Sequence, residues 1–231
     1  MTSRSSSDRK QLPPQKKVRL ILQRLGETTE RPAHATRLAP LDSLVLTILS
    51  QNTNDRNSGR AFEQLKARFA RWEEVLAASV EELAQTIHSA GLENIKADRI
   101  QEVLGRIAAD RGELDLEFLR ALSPAEAHAY LLNLPGIGRK TVAVVLLFTF
   151  DMPFFPVDTH VLRVSKRLGL IPELIDADRA HDLYDAMLKP EQMLPLHLAL
   201  IWHGRRVCAA RRPRCDSCVL LDLCPQVGVA T

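Results

Sequence analysis

The sequence predicts an all-α fold, and three observations carry that prediction. Apolar residues recur at helical spacing along most of the chain. No segment alternates convincingly as a half-buried strand would. The apolar stripes are opened by capping residues or closed by glycine, with short loops between and no repeat at a solenoid period. In chain order, Val18, Ile21, Leu22 and Leu25 form the first stripe, with Gly26 as its stop, and Leu41, Leu44, Val45, Ile48 and Leu49 form the second. The polar run 50–55 follows, and its Asn and Asp residues can cap the next helix, marked by Ala61, Phe62, Leu65 and Phe69. Ser79 with Glu82 reads as a capping box opening a helix that stops at Gly91. Ile100, Val103, Leu104 and Ile107 mark a helix over 95–109 with Gly112 behind it, and Ser123-Pro124 with Glu126 opens another. A helix is expected over 156–168, closed by Gly169, and two more over about 177–188 and 191–207.

A length of 231 residues allows one large domain or two small ones. Hydrophobic residues at 45% and charged residues at 26% are ordinary for a globular protein, and a net charge of +3 argues for no partner. Charge placement says more: Arg205, Arg206, Arg211, Arg212 and Arg214 put five cations into ten residues. Such a run suits phosphates as well as it suits a solvated face. The longest apolar stretch, Val142 to Phe150, is well short of the roughly 20 residues a spanning helix needs, so no membrane partner is expected. No secretory signal is read, and residues 1–17, rich in Ser, Arg and Lys without an apolar face, read as a disordered basic tail. All four cysteines fall in the last 24 residues, a placement that argues against a disulfide framework and for a reducing compartment.

Three features carry chemistry. The first is Leu134-Pro135-Gly136-Ile137-Gly138-Arg139-Lys140-Thr141, between two helical segments. Gly136 and Gly138 let the backbone turn tightly and approach another chain, and amides at the following helix N-terminus can hold a phosphate without touching a base. A bare Gly-x-Gly is more often an ordinary turn. The order of helix, Leu-Pro-Gly-x-Gly and helix is that of a helix–hairpin–helix, which favours DNA. The second is Lys140 with Asp158. A lysine in the first turn faces the positive end of the helix dipole, a poor place for a structural cation and a good one for an amine that must lose its proton. Taken singly, a phosphate contact for Lys140 and an N-cap for Asp158 are at least as natural. The third is Cys208-x6-Cys215-x2-Cys218-x5-Cys224, four thiols within seventeen residues. By spacing alone, an iron–sulfur cluster and a zinc ion stand about equal.

Together these residues resemble the endonuclease III family of helix–hairpin–helix DNA glycosylases, over about Val18 to Cys224. The cysteine spacing is similar to that of the family, Lys140 falls at the position of its catalytic lysine, and Val157-Asp158-Thr159-His160 looks like the segment with its catalytic aspartate. The resemblance implies a two-domain, all-α fold: a six-helix domain, here 35–152, inserted into a cluster-bearing domain made of 18–34 and 153–231. It also implies a [4Fe-4S] cluster on Cys208, Cys215, Cys218 and Cys224 that frames a basic loop at 209–214. Gln51 matches a glutamine that fills the gap left by a flipped nucleotide, and Leu92 a leucine wedged into the base stack. Arg139, Arg211, Arg212 and Arg214, with Gly136 and Gly138, would contact DNA phosphates.

The chain departs from the family pattern at two positions. Asn54 stands where many members have aspartate, and Glu93 stands where an aromatic residue commonly follows the wedge. The expected activity is a glycosylase and abasic-site lyase, acting as a monomer on oxidised pyrimidines in double-stranded DNA; from a bacterial source it would be cytoplasmic and nucleoid-associated. The alternatives are a monofunctional glycosylase for mismatches, uracil or another lesion, and a non-enzymatic DNA-binding module with a zinc clip. An adenine-removing relative fits less well, because that branch usually lacks the lysine.

Overall fold

The computed structural model describes residues 10–26 and 38–229, and among them the regular structure is helical throughout. The chain divides into two compact units. One is continuous, Arg37–Asp151, and the other joins Met1–Thr36 to Met152–Thr231. No helix among the described residues is long and apolar enough to cross a membrane.

The continuous unit begins with α2, Pro40–Leu49, where Pro40 at the first position needs no amide partner. Next come α3 (Asp55–Arg68), α4 (Trp72–Ala77), α5 (Val80–Thr86) and a 3-10 turn at His88–Ala90. The long α6, Glu93–Arg111, ends at Gly112 in the left-handed region, and a second 3-10 turn spans Glu117–Ala121. α7, Pro124–Leu132, opens with the Ser123–Glu126 capping box, and α8, Arg139–Phe150, completes the unit. α2 and α8 pack together at its centre. Leu44, Val45 and Ile48 of α2 and Val142, Val145 and Leu146 of α8 are all fully buried. Each such side chain contributes roughly 1.5–3 kcal/mol of burial.

In the discontinuous unit, α1 (Pro14–Gly26) buries Val18, Ile21 and Leu25. Its Lys17 Nζ donates to Leu168 O at 2.8 Å, and Arg24 pairs with Asp222 while also donating to Val219 O at 3.0 Å. An extended segment leads to α9 (Thr159–Arg167), followed by α10 (Ala177–Met187), α11 (Pro190–Arg206) and the cysteine-bearing loops. α9 crosses α11 at Gly204, where an added Cβ would meet His160 Cβ and Val164 Cγ2, each at 3.1 Å. The missing side chain is what allows the two helices to approach so closely.

Several expectations need correction. The basic tail expected over 1–17 extends too far, because Pro14–Lys17 already belong to α1 and Lys17 is buried; residues 1–9 lie outside the described residues, as do 27–34 of the segment expected in the cluster-bearing domain. Among its described residues the continuous unit holds seven α-helical segments, where the resemblance implied six. The helix expected from Pro156 starts only at Thr159. Carbonyls of Phe155 and Pro156 accept from His181 and His197, which holds that stretch extended. Ser79 caps α5 as expected, but the Glu82 carboxylate reaches Arg68 at 2.6 Å.

Candidate DNA interface and catalytic residues

The hairpin turn is held by its apolar residues and presents its glycines. Leu134 and Ile137 are buried, and the Ile137 amide donates to Leu134 O at 3.2 Å, while Gly136 and Gly138 are exposed. Gly136 has φ +61, and the place a Cβ would take is filled by the Arg99 guanidinium, with Nη1 0.6 Å from it. A side chain at 136 would therefore meet both left-handed strain and a displaced arginine. Gly138 is the N-cap of α8 and offers no side-chain cap, leaving the positive end of the helix open to an anion. Arg139 and Lys140, both half-buried, occupy the first two helical positions. Thr141, the next residue, is buried, and its hydroxyl accepts from Gln51 Nε2 at 3.2 Å. The fold thus brings Gln51, ninety positions away in sequence, to the turn that carries Lys140.

Leu92 is 50% exposed and sits in the left-handed region with φ 52. For a leucine this conformation costs roughly 1–2 kcal/mol. Strain of this kind in an exposed apolar side chain is a reason to look for a role. Asn52, beside Gln51, shares the conformation at φ 53. A polar cleft of about 570 Å³, lined by Asn52, Thr53, Arg60, Gln85, His88 and Gly91 among others, links these two segments. The two departures from the family pattern have structural accounts. Asn54 Oδ1 caps α3 by accepting from the Asn57 amide at 3.0 Å, a task aspartate performs equally well. The Glu93 carboxylate lies 2.9 Å from His88 Nδ1; its own amide and then His88 hold its carboxyl below the usual range.

Asp158, in the other unit, is half-buried and is the N-cap of α9, its Oδ1 accepting from the Val161 amide at 2.7 Å. The segment that delivers it is pinned at three points. The Phe155 amide donates to Asp185 Oδ1 at 2.7 Å, while His181 and His197 donate through Nδ1 to Phe155 O and Pro156 O at 2.8 and 3.0 Å. Phe155 is fully buried against Tyr184.

Cys208, Cys215, Cys218 and Cys224 line one cavity, together with Arg167 and His203. Among the described residues no three His, Cys, Asp or Glu side chains form a group that could hold a metal ion. The donor set nevertheless suits a thiolate-bound group. N–H donors reach three of the sulfurs at 3.4 Å: Arg167 Nη1 to Cys208, the Leu220 amide to Cys218 and the Gln226 amide to Cys224. Burial pushes the Cys224 thiol up to about 11, so a thiolate there needs a nearby positive charge. The loop that follows Cys208 is fixed by Arg167, which donates to Ala209 O at 2.7 Å and Ala210 O at 3.0 Å. This leaves Arg211, Arg212 and Arg214 exposed.

Residues 45–189 match the model of the HhH-GPD superfamily of base excision DNA repair proteins. The chain belongs to that superfamily. An endonuclease III of Bacillus subtilis strain 168 is 33% identical over 210 residues, covering 90% of this chain and 92% of the relative. An Arabidopsis thaliana protein described as a candidate DNA glycosylase is 38% identical over 193 residues, covering 81% of this chain and 65% of the relative. The chain thus spans just under two thirds of that relative, and from 9% to 12% of several larger plant relatives. Among solved structures, a non-covalent endonuclease III–DNA complex matches with a TM-score of 0.78 and 31% identity, over 92% of this chain and 95% of that one.

Sequence reasoning missed several residues of this HhH-GPD chain. Lys96 is buried on the apolar stripe of α6, one turn before Ile100, and Arg167 is buried on α9 three residues after Val164. A cation where the stripe calls for an apolar side chain was the available signal. Arg99 and Arg163 gave none, because their partners Gly136, Gly204 and Cys208 are distant in sequence.

Proposed function

We propose that this chain removes an oxidised pyrimidine from duplex DNA and then cuts the strand beside the abasic sugar. The observation that carries the reading is Lys140 in the first turn of α8, directly behind an uncapped helix N-terminus and next to the Thr141 hydroxyl held by Gln51. Membership of the superfamily and the likeness to an endonuclease III–DNA complex support it.

The open end of α8 would take a phosphate beside the turned-out nucleotide, placing its sugar at Lys140. The neutral amine bonds to C1′ as the bond from C1′ to the base breaks, and that electron pair leaves with the base, which gains a proton. Asp158 would stabilise the positive charge growing on the sugar and assist these proton transfers. The bond from C1′ to O4′ then breaks, O4′ takes its electron pair and a proton, and the nitrogen's electron pair makes a C=N bond from Lys140 to C1′. This acidifies C2′, which loses a proton as the bond from C3′ to its oxygen breaks. Water finally releases the lysine. Cys208, Cys215, Cys218 and Cys224 would hold a four-iron, four-sulfur cluster, which when bound supplies a rigid frame for loop 209–214 rather than a reaction step. That loop would then set Arg211, Arg212 and Arg214 against phosphates.

Borohydride reduction during turnover tests the reading. A covalent adduct between enzyme and lesion-bearing DNA is expected with the wild type and none with Lys140→Gln, which should still bind DNA through the hairpin backbone. Full strand cutting by Lys140→Gln would overturn the lyase assignment. Base release without a trapped adduct in the wild type would instead mean that water is the nucleophile.

A further inference from the structure

Lys96 is only 3% exposed, yet it carries an ammonium on the apolar stripe of α6. Its Nζ donates to Leu49 O at 2.8 Å and to Ala90 O at 2.9 Å. Leu49 ends α2, two residues before Gln51, and Ala90 ends the 3-10 turn, two residues before Leu92. Both acceptors lie at helical C-termini, where the backbone dipoles favour a cation. The Lys96 amide also donates to Leu92 O at 2.9 Å, so one residue grips the chain on both sides of Gly91. Burial lowers the amine from its ordinary range, and Glu93 opposes that shift. A methionine would fill the same space without desolvating a charge, so packing alone does not account for a lysine here.

We propose that Lys96 is a positioning residue that fixes the Gln51 and Leu92 segments relative to each other, so that both side chains enter the duplex in concert when a base is turned out. The inference rests on the DNA-repair reading above. Without the ammonium, two backbone carbonyls lose their shared donor. Leu92 can then relax from its left-handed conformation, and the two insertions are no longer set at one spacing.

The test compares two reactions of the whole protein under single turnover. One is base release from a duplex with a single oxidised pyrimidine; the other is strand cutting at a preformed abasic site in the same duplex. An abasic sugar has no stacked base to displace, so it makes little demand on the insertion. Lys96→Met is expected to slow base release by about tenfold or more, equivalent to about 1.4 kcal/mol in the barrier, while abasic cutting changes by less than about threefold. Adding Lys96→Met to Leu92→Ala should cost clearly less than the product of the two single losses, because Lys96 acts in part through that segment. Equal losses in both reactions, or losses that multiply in the double variant, would overturn the proposal. If Lys96→Met does not fold, Lys96→Gln keeps one donor and is held to the same split. A wild type active in neither reaction would remove the DNA-repair reading itself; an active wild type matched by Lys96→Met removes only the role of Lys96.

Discussion

Asp158 caps α9, and the proposed reaction asks the same carboxylate to stabilise charge on the sugar, so substitution can separate the two roles. Oδ1 caps α9 through the Val161 amide, a bond an asparagine oxygen makes nearly as well. Asp158→Asn should therefore leave the thermal midpoint nearly unchanged while lowering single-turnover base release by about 10²-fold or more, the usual scale for a positioned acid–base group. DNA affinity should hardly move. A large fall in the midpoint with a proportionate fall in rate would show that the residue is chiefly a cap. Lys140 differs in kind: it is the proposed nucleophile, so its loss should appear in chemistry and trapping. Lys96 differs again, being buried and reaching the reaction only through the backbone of residues 49, 90 and 92.

At the scale of elements, the hairpin depends on a division of labour between buried Leu134 and Ile137 and exposed Gly136 and Gly138. Gly136→Ala introduces a Cβ where Arg99 lies and forces an L-residue to φ +61. The left-handed conformation alone should cost roughly 1–2 kcal/mol, lowering the midpoint by about 2–8 °C in a chain of this size. DNA affinity should fall with it, since the turn that offers its amides is displaced. Calorimetry beside a binding titration checks both, and an unchanged midpoint would mean that the turn tolerates a side chain. The segment 154–158 shows the same logic in extended form. It has no helix of its own, so its three polar anchors do the work of a helix in aiming Asp158.

For the whole molecule, a net charge of +3 gives little long-range attraction, so affinity should come from local clusters. Arg211, Arg212 and Arg214 are exposed on a loop whose backbone Arg167 fixes. Binding should weaken linearly on a log–log plot against salt, and each of the three changed to Gln should reduce the slope by about 0.9. A slope the triple variant leaves unaltered would exclude the loop from the interface. The cysteine centre is tested by elemental analysis: about four irons per chain are expected, and about one zinc without iron would replace the cluster with a structural ion. Chelation or Cys215→Ser should loosen loop 209–214 and bring the salt slope close to that of the triple variant, because the arginines then lose their frame.

The sequence by itself determined the helical class and most of the helices, and it singled out the groups whose chemistry is proposed. Periodicity, caps and the Leu-Pro-Gly-x-Gly turn are local, and local rules act on neighbours a few residues apart. Lys140, Asp158 and the four cysteines were singled out by spacing and resemblance, and trapping and elemental analysis decide their roles. Tertiary structure decided what spacing cannot encode. It brought Gln51 to Thr141, put Lys96 between the ends of two helical segments, laid Arg99 against Gly136 and kept 156–158 out of the helix expected there. In each case the partner is distant in sequence or the local preference is outweighed by buried carbonyls that must find donors. A buried polar group is satisfied by whatever the fold brings near it, and only the packed chain specifies that.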